Sequence, residues 1–422
     1  MPGRYHIGIA GCGPAGLAVA LLLERIGHCV TLIERFVEPQ PLGSGLILQP
    51  TGLAVLQELG LATPLVQLGA RIDRLYGQAH QTGTAVLDVR YEALGDGSFG
   101  VGIHRAALFD TLFAAVNARG IEIETGFDVH SLEHAKDNRV IVLDGAARRL
   151  EPFDLVIDAL GARSPLLNQA AQPVVQRPLT YGAIWTNVPM HGGFNPHALE
   201  QRYWRASIMA GVLPIGRHHA ESQPLASFFW SLKPAEYAVW RSKGLPAWKA
   251  DVLNYWPETA PLLDTIASED QPILATYRHQ TLPLPFGRRI AFIGDAAHAT
   301  SPQLGQGANM ALLDAVALAR AIENSGDLDK ALRGYADMRR WHVRLYQAAS
   351  WMFTPFYQSD SVGLPFIRDR LVPPIARLPI AARILAALVA GSIGNPFEHI
   401  GLNRFIADVP RPFAATEAEL SP

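Results

Sequence analysis

Two glycine-rich turns, distant in the chain, each stand between an apolar run and a segment of helical spacing. The first is Gly11-Cys12-Gly13-Pro14-Ala15-Gly16, a G-x-G-x-x-G turn between HIGIA and an apolar helix. In this pattern Gly11 allows a tight bend, Gly13 lets a pyrophosphate approach the backbone, and Gly16 packs helix on strand. The helix start adds unpaired N–H groups and a partial positive charge. The next strand, CVTLIE, ends at Glu34, near the ~20-residue distance at which a carboxylate meets ribose hydroxyls. An acid there argues against a 2′-phosphate, which leaves FAD or NAD.

The second turn, GDAAHATSPQLGQGAN over 294–309, decides between those two. A second glycine turn leading into a second helix is superfluous for NAD. It suits a longer cofactor whose far end must also be held. Asp295, at a strand end, would accept hydrogen bonds from a polyol chain. The backbone of Gly305-Gln306-Gly307 would bond a ring carbonyl and stabilise negative charge on a reduced flavin. His298 has no partner at metal-ligand spacing, so no metal is expected.

These turns must be held by a strand–helix–strand unit over residues 5–35 and by a returning strand, RRIAFIGD. Between them, residues 71–89 alternate apolar and polar, and HRAALFDTLFAAVNARG reads as a helix. A proline-rich middle segment holds strands such as QRYWRASIMAGVLPI and LASFFWSL. The expected fold is α/β: a Rossmann-like domain from 1–70, 101–175 and 281–330. Into it an antiparallel-sheet domain is inserted, from 71–100 and 176–280. A helical region follows over 331–422, ending in a polar tail, ATEAELSP, expected to fray.

With 18% charged residues and a net charge of -2, the chain lacks the basic balance of a nucleic-acid binder. Two cysteines, Cys12 and Cys29, make no disulfide framework. A reducing, cytoplasmic setting is the expectation, with no signal peptide in MPGRYHIGIAG. LPIAARILAALVAGSIG, residues 378–394, carries Arg383 and is too short to be a confident span. It reads as a buried or amphipathic helix, or as a membrane-surface element that collects a greasy substrate.

Taken together, the fingerprint with Glu34-Arg35, Arg105 in GIHRAALFDTL, GARS in DALGARSP, and the 294–309 turn resemble the single-component FAD-dependent aromatic hydroxylases of the p-hydroxybenzoate hydroxylase fold. The middle strands are similar to the ubiquinone-biosynthesis branch. The resemblance covers about residues 5–390. It implies non-covalent FAD, reduced by NAD(P)H as a transient donor. Reduced flavin and O₂ would then form a C4a-hydroperoxide that hydroxylates a phenolic or quinone-like ring. It also implies that Glu34 holds the ribose and that Arg35 lies by the adenine. Arg105 would face the pyrophosphate or ribityl chain. Val129 would present backbone to the adenine, and Gly45 would lie in the flavin-flanking loop. Pro302 through Ala308 and Asn309 would surround the ring.

One departure stands out. The family's Asp before the small residues is Leu160 here, and Asp158, two residues earlier, is the expected partial substitute. Tyr203, Trp204, Met209 and Trp230 are the candidate substrate pocket, and a middle-domain His or Tyr would deprotonate a phenol. No catalytic set such as Ser-His-Asp is present in the motifs, and none is required, because the cofactor carries the chemistry. A same-fold epoxidase, halogenase or reductase, or a flavin-binding accessory protein, stays open, although no Trp-x-Trp-x-Ile-Pro halogenase segment occurs. Acid treatment of the purified yellow protein should release FAD. Released FMN would remove Glu34's ribose role, since FMN has no adenosine.

Overall fold

The computed structural model describes residues 3–41 and 43–405, so the tail ATEAELSP lies outside the described residues. A six-stranded sheet runs Phe286–Gly287, Ile290–Phe292, Leu155–Asp158, His6–Ala10, Cys29–Ile33, Glu122–Glu124. All its pairs are parallel except the short edge at 286–287. Parallel strands are covered on both faces, which is why IGIA, VTLI and LVI are continuous apolar runs. The helices Pro14–Arg25 and Gly307–Glu323 share the core with Ile7, Ile9 and Leu32.

The seven-stranded sheet runs Ile273–Ala275, Gly182–Pro189, Leu225–Leu232, Ile208–Gly216, Ala198–Trp204, Arg74–Ala79, Ala85–Arg90. The expectation of an antiparallel sheet is corrected at one place: Ala198–Trp204 lies parallel to Arg74–Ala79. The hairpin 74–90 comes from a distant part of the chain and docks on the sheet edge, so no tight turn dictates its direction. One sheet face carries Leu75, Tyr203, Met209 and Phe229 toward the C-terminal helices. The opposite face carries Ile184, Val212 and Trp230 against Trp240, Trp248 and Trp256.

A smaller sheet of Gly45–Leu48, Gly100–His104 and Ala70–Ile72 joins the two large ones. Gly102 is required there. A Cβ would stand 2.0 Å from the carbonyl oxygen of Pro214, so the two sheets touch backbone to side chain-less backbone.

The C-terminal helices Leu328–Tyr357, Gly363–Ala376 and Pro379–Ala390 close the molecule. They are tied to the second glycine turn by a buried ionic centre. Asp314, fully buried, accepts from Gly294 N–H at 2.8 Å, His298 Nε2 at 2.5 Å and Arg339 Nε at 2.7 Å. Burial alone would raise the Asp314 carboxyl, but His298 and Arg339 hold it below the usual range. Arg339 Nη1 lies 3.1 Å from His342 Nδ1, and His342 Nε2 lies 2.9 Å from the carbonyl oxygen of Gly391. His342 therefore accepts at Nδ1, donates at Nε2 and is neutral. Burial first, then the Arg339 charge, pushes its pKa down to about 3.

The unfolded chain binds a proton at His342 near pH 6.5, and the folded chain does not until about pH 3. The unfolded state thus holds more protons in that window. His342 stabilises the fold above pH 6.5, and that contribution is lost progressively as pH falls toward 3. His342→Gln should lower Tm at pH 7.5 and flatten the decline of Tm between pH 6.5 and pH 4.5. An unchanged slope would mean His342 is not held neutral.

Candidate functional site

A single continuous cavity of about 1330 Å³ runs from the first glycine turn to the C-terminal helices. Small-ligand pockets usually span roughly 300–1,000 Å³. The excess is room for an extended cofactor beside a substrate.

At the nucleotide end, Gly11 has φ of +105°, and a Cβ would meet the Ala159 carbonyl oxygen at 2.8 Å. Gly13 faces open space, with nothing within 4 Å of a built Cβ. Pro14 and Ala15 also line the cavity. Gly16 does not: a Cβ there would stand 2.0 Å from Gly11's oxygen, so it serves the helix–strand approach. The Glu34 carboxylate accepts from Cys12 N–H at 3.0 Å and Phe36 N–H at 3.1 Å, which fixes it at the cavity wall. Arg35 lines the same wall, its guanidinium 4.6 Å from the Phe36 ring centre, as does Val129 at the head of the strand Val129–His134. Cys12 is buried, and that burial, with Glu34 beside it, pushes its thiol up to about 12.

Further in, Gly45 opens the strand Gly45–Leu48 and lines the cavity. Arg105 begins the helix Arg105–Ala118, and its Nε is buried with no hydrogen-bond partner. Burial draws its pKa below the ordinary guanidinium value, opposed by the nearby Asp295 carboxylate. A guanidinium remains charged in proteins, so a buried N–H without an acceptor marks a place for an anion. Asp295, first in the short helix Asp295–His298, is exposed to the cavity.

At the second turn, Pro302, Gly305, Gln306, Gly307 and Ala308 line the cavity. The expectation that Gly305 offers its N–H to a ring is corrected. That N–H donates to the carbonyl oxygen of Pro302 at 2.9 Å, and φ of +60° makes the residue a left-handed corner. The free donors are those of the helix's first turn, beginning at Gly307 and Ala308. Asn309 is also corrected: it lies behind the wall. Its Oδ1 accepts from Gln49 N–H at 2.8 Å, and its Nδ2 donates to the oxygens of Ile47 and Gly305. Gln49 itself lines the cavity, with Nε2 buried and unbonded while Tyr91 donates to its Oε1.

Tyr203 and Met209, directly paired across two strands, line the substrate end. Trp204 and Trp230 do not. Alternation turns Trp204 to the other sheet face, where it packs on His80 and Tyr255, and Trp230 reaches Tyr255 from the same side. Sequence reasoning missed Phe229, Trp185, Tyr357 and Arg368, all of which line the cavity. The expected histidine base is also absent from the wall among the described residues. The cavity tyrosines are held protonated: burial pushes Tyr277 and Tyr357 up to about 12, and Tyr203 well above its ordinary value. Tyr203 and Tyr357 donate to the oxygens of Gln201 and Val86, and Tyr277 accepts from Trp185 Nε1–H, so none of them stands as a base.

Leu160 lines the cavity, but Asp158 does not reach it. Its carboxylate accepts from Leu160 N–H at 2.9 Å and from the Ser164 hydroxyl, closing the turn at 158–164. The expected substitution is corrected. Burial raises Asp158 to about 6 despite those bonds.

The open glycine turn, the fixed Glu34, the unpaired Arg105 Nε and the exposed Asp295 together fit FAD. Glu34 and Val129 would meet its adenosine, Arg105 and the first helix its pyrophosphate, Asp295 its polyol, and Gly307 with Ala308 its ring. Residues 4–343 match the model of the FAD binding domain. The chain belongs to the FAD-binding-domain family. It is a flavoprotein monooxygenase that hydroxylates an aromatic substrate.

AqdB1 of Rhodococcus erythropolis, assigned as a 2-heptyl-3-hydroxy-4(1H)-quinolone synthase, is 30% identical over 82% of this chain and 87% of its own. The 6-hydroxynicotinate 3-monooxygenase of Bordetella bronchiseptica is 26% identical over 83% of this chain and 91% of its own. The fold matches Klebsiella pneumoniae HpxO complexed with FAD and uric acid, with TM-score 0.77 and 18% identity over 93% of this chain and 99% of that one. FAD is the monooxygenase's cofactor, with NAD(P)H the donor typical of such enzymes. When bound, it activates O₂ for transfer of one oxygen atom, while the protein orients the ring and excludes water.

Arg105→Ala should raise the FAD dissociation constant about tenfold or more, from loss of a charge-assisted contact of roughly 1.5–3 kcal/mol. Its helix stays packed through Leu108, Leu112 and Val116, each fully buried. A sharp fall in apo-protein Tm with unchanged FAD affinity would assign Arg105 to the fold instead.

Proposed function

We propose that the substrate is an aromatic ring carrying an ionisable or carbonyl oxygen and an apolar extension. Arg368 carries this reading. It is fully buried at the cavity wall, under the rings of Tyr203 and Tyr357 at 5.0 and 5.2 Å. Its Nε donates to Asp369 Oδ1 and its Nη1 to the carbonyl oxygen of Phe356, both at 2.8 Å. Nη2 also lies 2.8 Å from Asp369 Oδ1, but off the hydrogen-bond direction, and has no hydrogen-bond partner.

A guanidinium edge without a hydrogen-bond acceptor, in a wall otherwise made by Met209, Leu213 and Phe229, suits one oxygen on a greasy molecule. It would also lower the pKa of a phenol bound there, which makes the ring electron-rich without a base on the protein. The alkyl-substituted hydroxyquinolone in the name of the Rhodococcus relative supports the same substrate class. The apolar segment 378–394 supports collection of such a substrate from a greasy phase.

Substrate-stimulated NAD(P)H oxidation, measured over a panel of phenols and hydroxyquinolones with and without alkyl chains, tests the reading. Alkylated, acidic rings should stimulate and yield a product heavier by one oxygen atom. Arg368→Met should keep FAD and the fold but weaken binding of such ligands about tenfold or more, with Arg368→Lys partly restoring it. Equal stimulation by rings lacking any oxygen would sink the assignment.

A further inference from the structure

The helices Gly363–Ala376 and Pro379–Ala390 meet at 109°, and their outer side is unlike the rest of the surface. Phe366, Leu371, Ile375, Leu378, Ile380 and Ile384 are between 51% and 77% exposed. Leu371 and Ile375 stand one turn apart on the first helix, Ile380 and Ile384 one turn apart on the second, and Leu378 lies at the bend between them. The inner side is the reverse: Ala386, Val389 and Ala390 are buried beneath the seven-stranded sheet. Single exposed apolar residues are ordinary, but a contiguous group of this kind marks a surface that meets something apolar.

Charge narrows the choice of partner. Residues 363–390 hold four arginines and one acid, Asp369, which is bonded to the buried Arg368. Arg370, Arg377 and Arg383 are exposed among the apolar side chains. Arg370 lies over the Phe366 ring at 3.7 Å, an arrangement that lets a cation sit at the edge of an apolar layer. A second copy of this face would bring arginine against arginine. An anionic lipid surface would take both the arginines and the apolar chains.

Length excludes crossing by either helix. They have 14 and 12 residues, about 21 and 18 Å at 1.5 Å per residue, against a hydrocarbon core of roughly 30 Å. Such helices lie in the interface plane.

The cavity reaches the same pair of helices. Ile375 and Ile384 are half-exposed and also line the cavity, together with Val372, Ala376 and Leu385. We infer that this bent helix pair docks the enzyme on an anionic membrane surface and surrounds the port through which an apolar substrate enters directly from lipid. The docking stands on exposure, charge and helix length. The entry of substrate there rests on the proposed apolar substrate.

The test is flotation of the FAD-loaded full chain with phosphatidylcholine vesicles, with and without phosphatidylglycerol. Binding should appear with phosphatidylglycerol, fall tenfold or more without it, and weaken with added salt. Phe366→Glu combined with Ile380→Glu, and separately Arg370→Glu combined with Arg377→Glu, should each abolish flotation. None of these four residues lines the cavity, so FAD content and Tm should stay as in the wild type. A wild-type protein that stays unbound at low salt overturns the proposal. So does a stable dimer that hides the surface and leaves it indifferent to lipid, or charge-reversed variants that float normally. Flotation without stimulated NAD(P)H oxidation by any phenol would instead defeat the proposed function and leave the docking surface standing.

Discussion

The fold turns on one buried carboxylate. Asp314 sits in an apolar stretch of its helix, and its two oxygens receive three donors, two from the segment 294–298 and one from Arg339. A buried pair like Asp314 and Arg339 contributes little net stability over an apolar alternative, but removing either partner strands a charge in the core. Such a centre specifies an arrangement more than it adds stability. Here it sets the glycine turn, the cofactor helix and the C-terminal helices at fixed relative positions. Gln306 extends the link, its Nε2 donating to the Val389 oxygen. The walls of cofactor site and substrate site are therefore one connected body.

The seven-stranded sheet separates two kinds of aromatic residue. One face offers Tyr203, Phe229 and Met209 to the cavity, and the other is sealed by tryptophans. The cavity face has few polar groups, so each has a large effect on what binds. Arg368 is the strongest of them, and it comes from the helical region rather than from the sheet. The one fully buried guanidinium of this wall, among the described residues, thus comes from an element outside the nucleotide-binding architecture.

Much of this was legible in residue order. Local glycine patterns report their own geometry, so the first turn, Glu34 and Asp295 could be read directly, whereas in the second turn Gly305 was misread because its N–H closes the corner onto Pro302. Arg105 and Val129 came with the family resemblance. Asn309 was misread because its helical neighbours line the site while its own amide bonds backward to the loop at 47–49. Trp204 and Trp230 were misread because strand phase depends on register: Tyr203 opposes Met209, whereas Trp230 opposes Ala210. Arg368 and Tyr357 meet the cavity only through packing between distant helices, which no local pattern encodes. A signal for the ionic centre did exist, in a lone Asp within ANMALLDAVALA. It needed a partner that sequence could not name.

Cys12 lies in the cofactor turn of an enzyme that handles O₂. Its sulfur stays in the thiol form, because burial and the fixed Glu34 charge disfavour the thiolate. Oxidation by peroxide proceeds through the thiolate. The Glu34 carboxylate fixed at the cavity wall therefore also disfavours the thiolate of its neighbour. A peroxide reaching this turn would meet a sulfur held in its less reactive, protonated form.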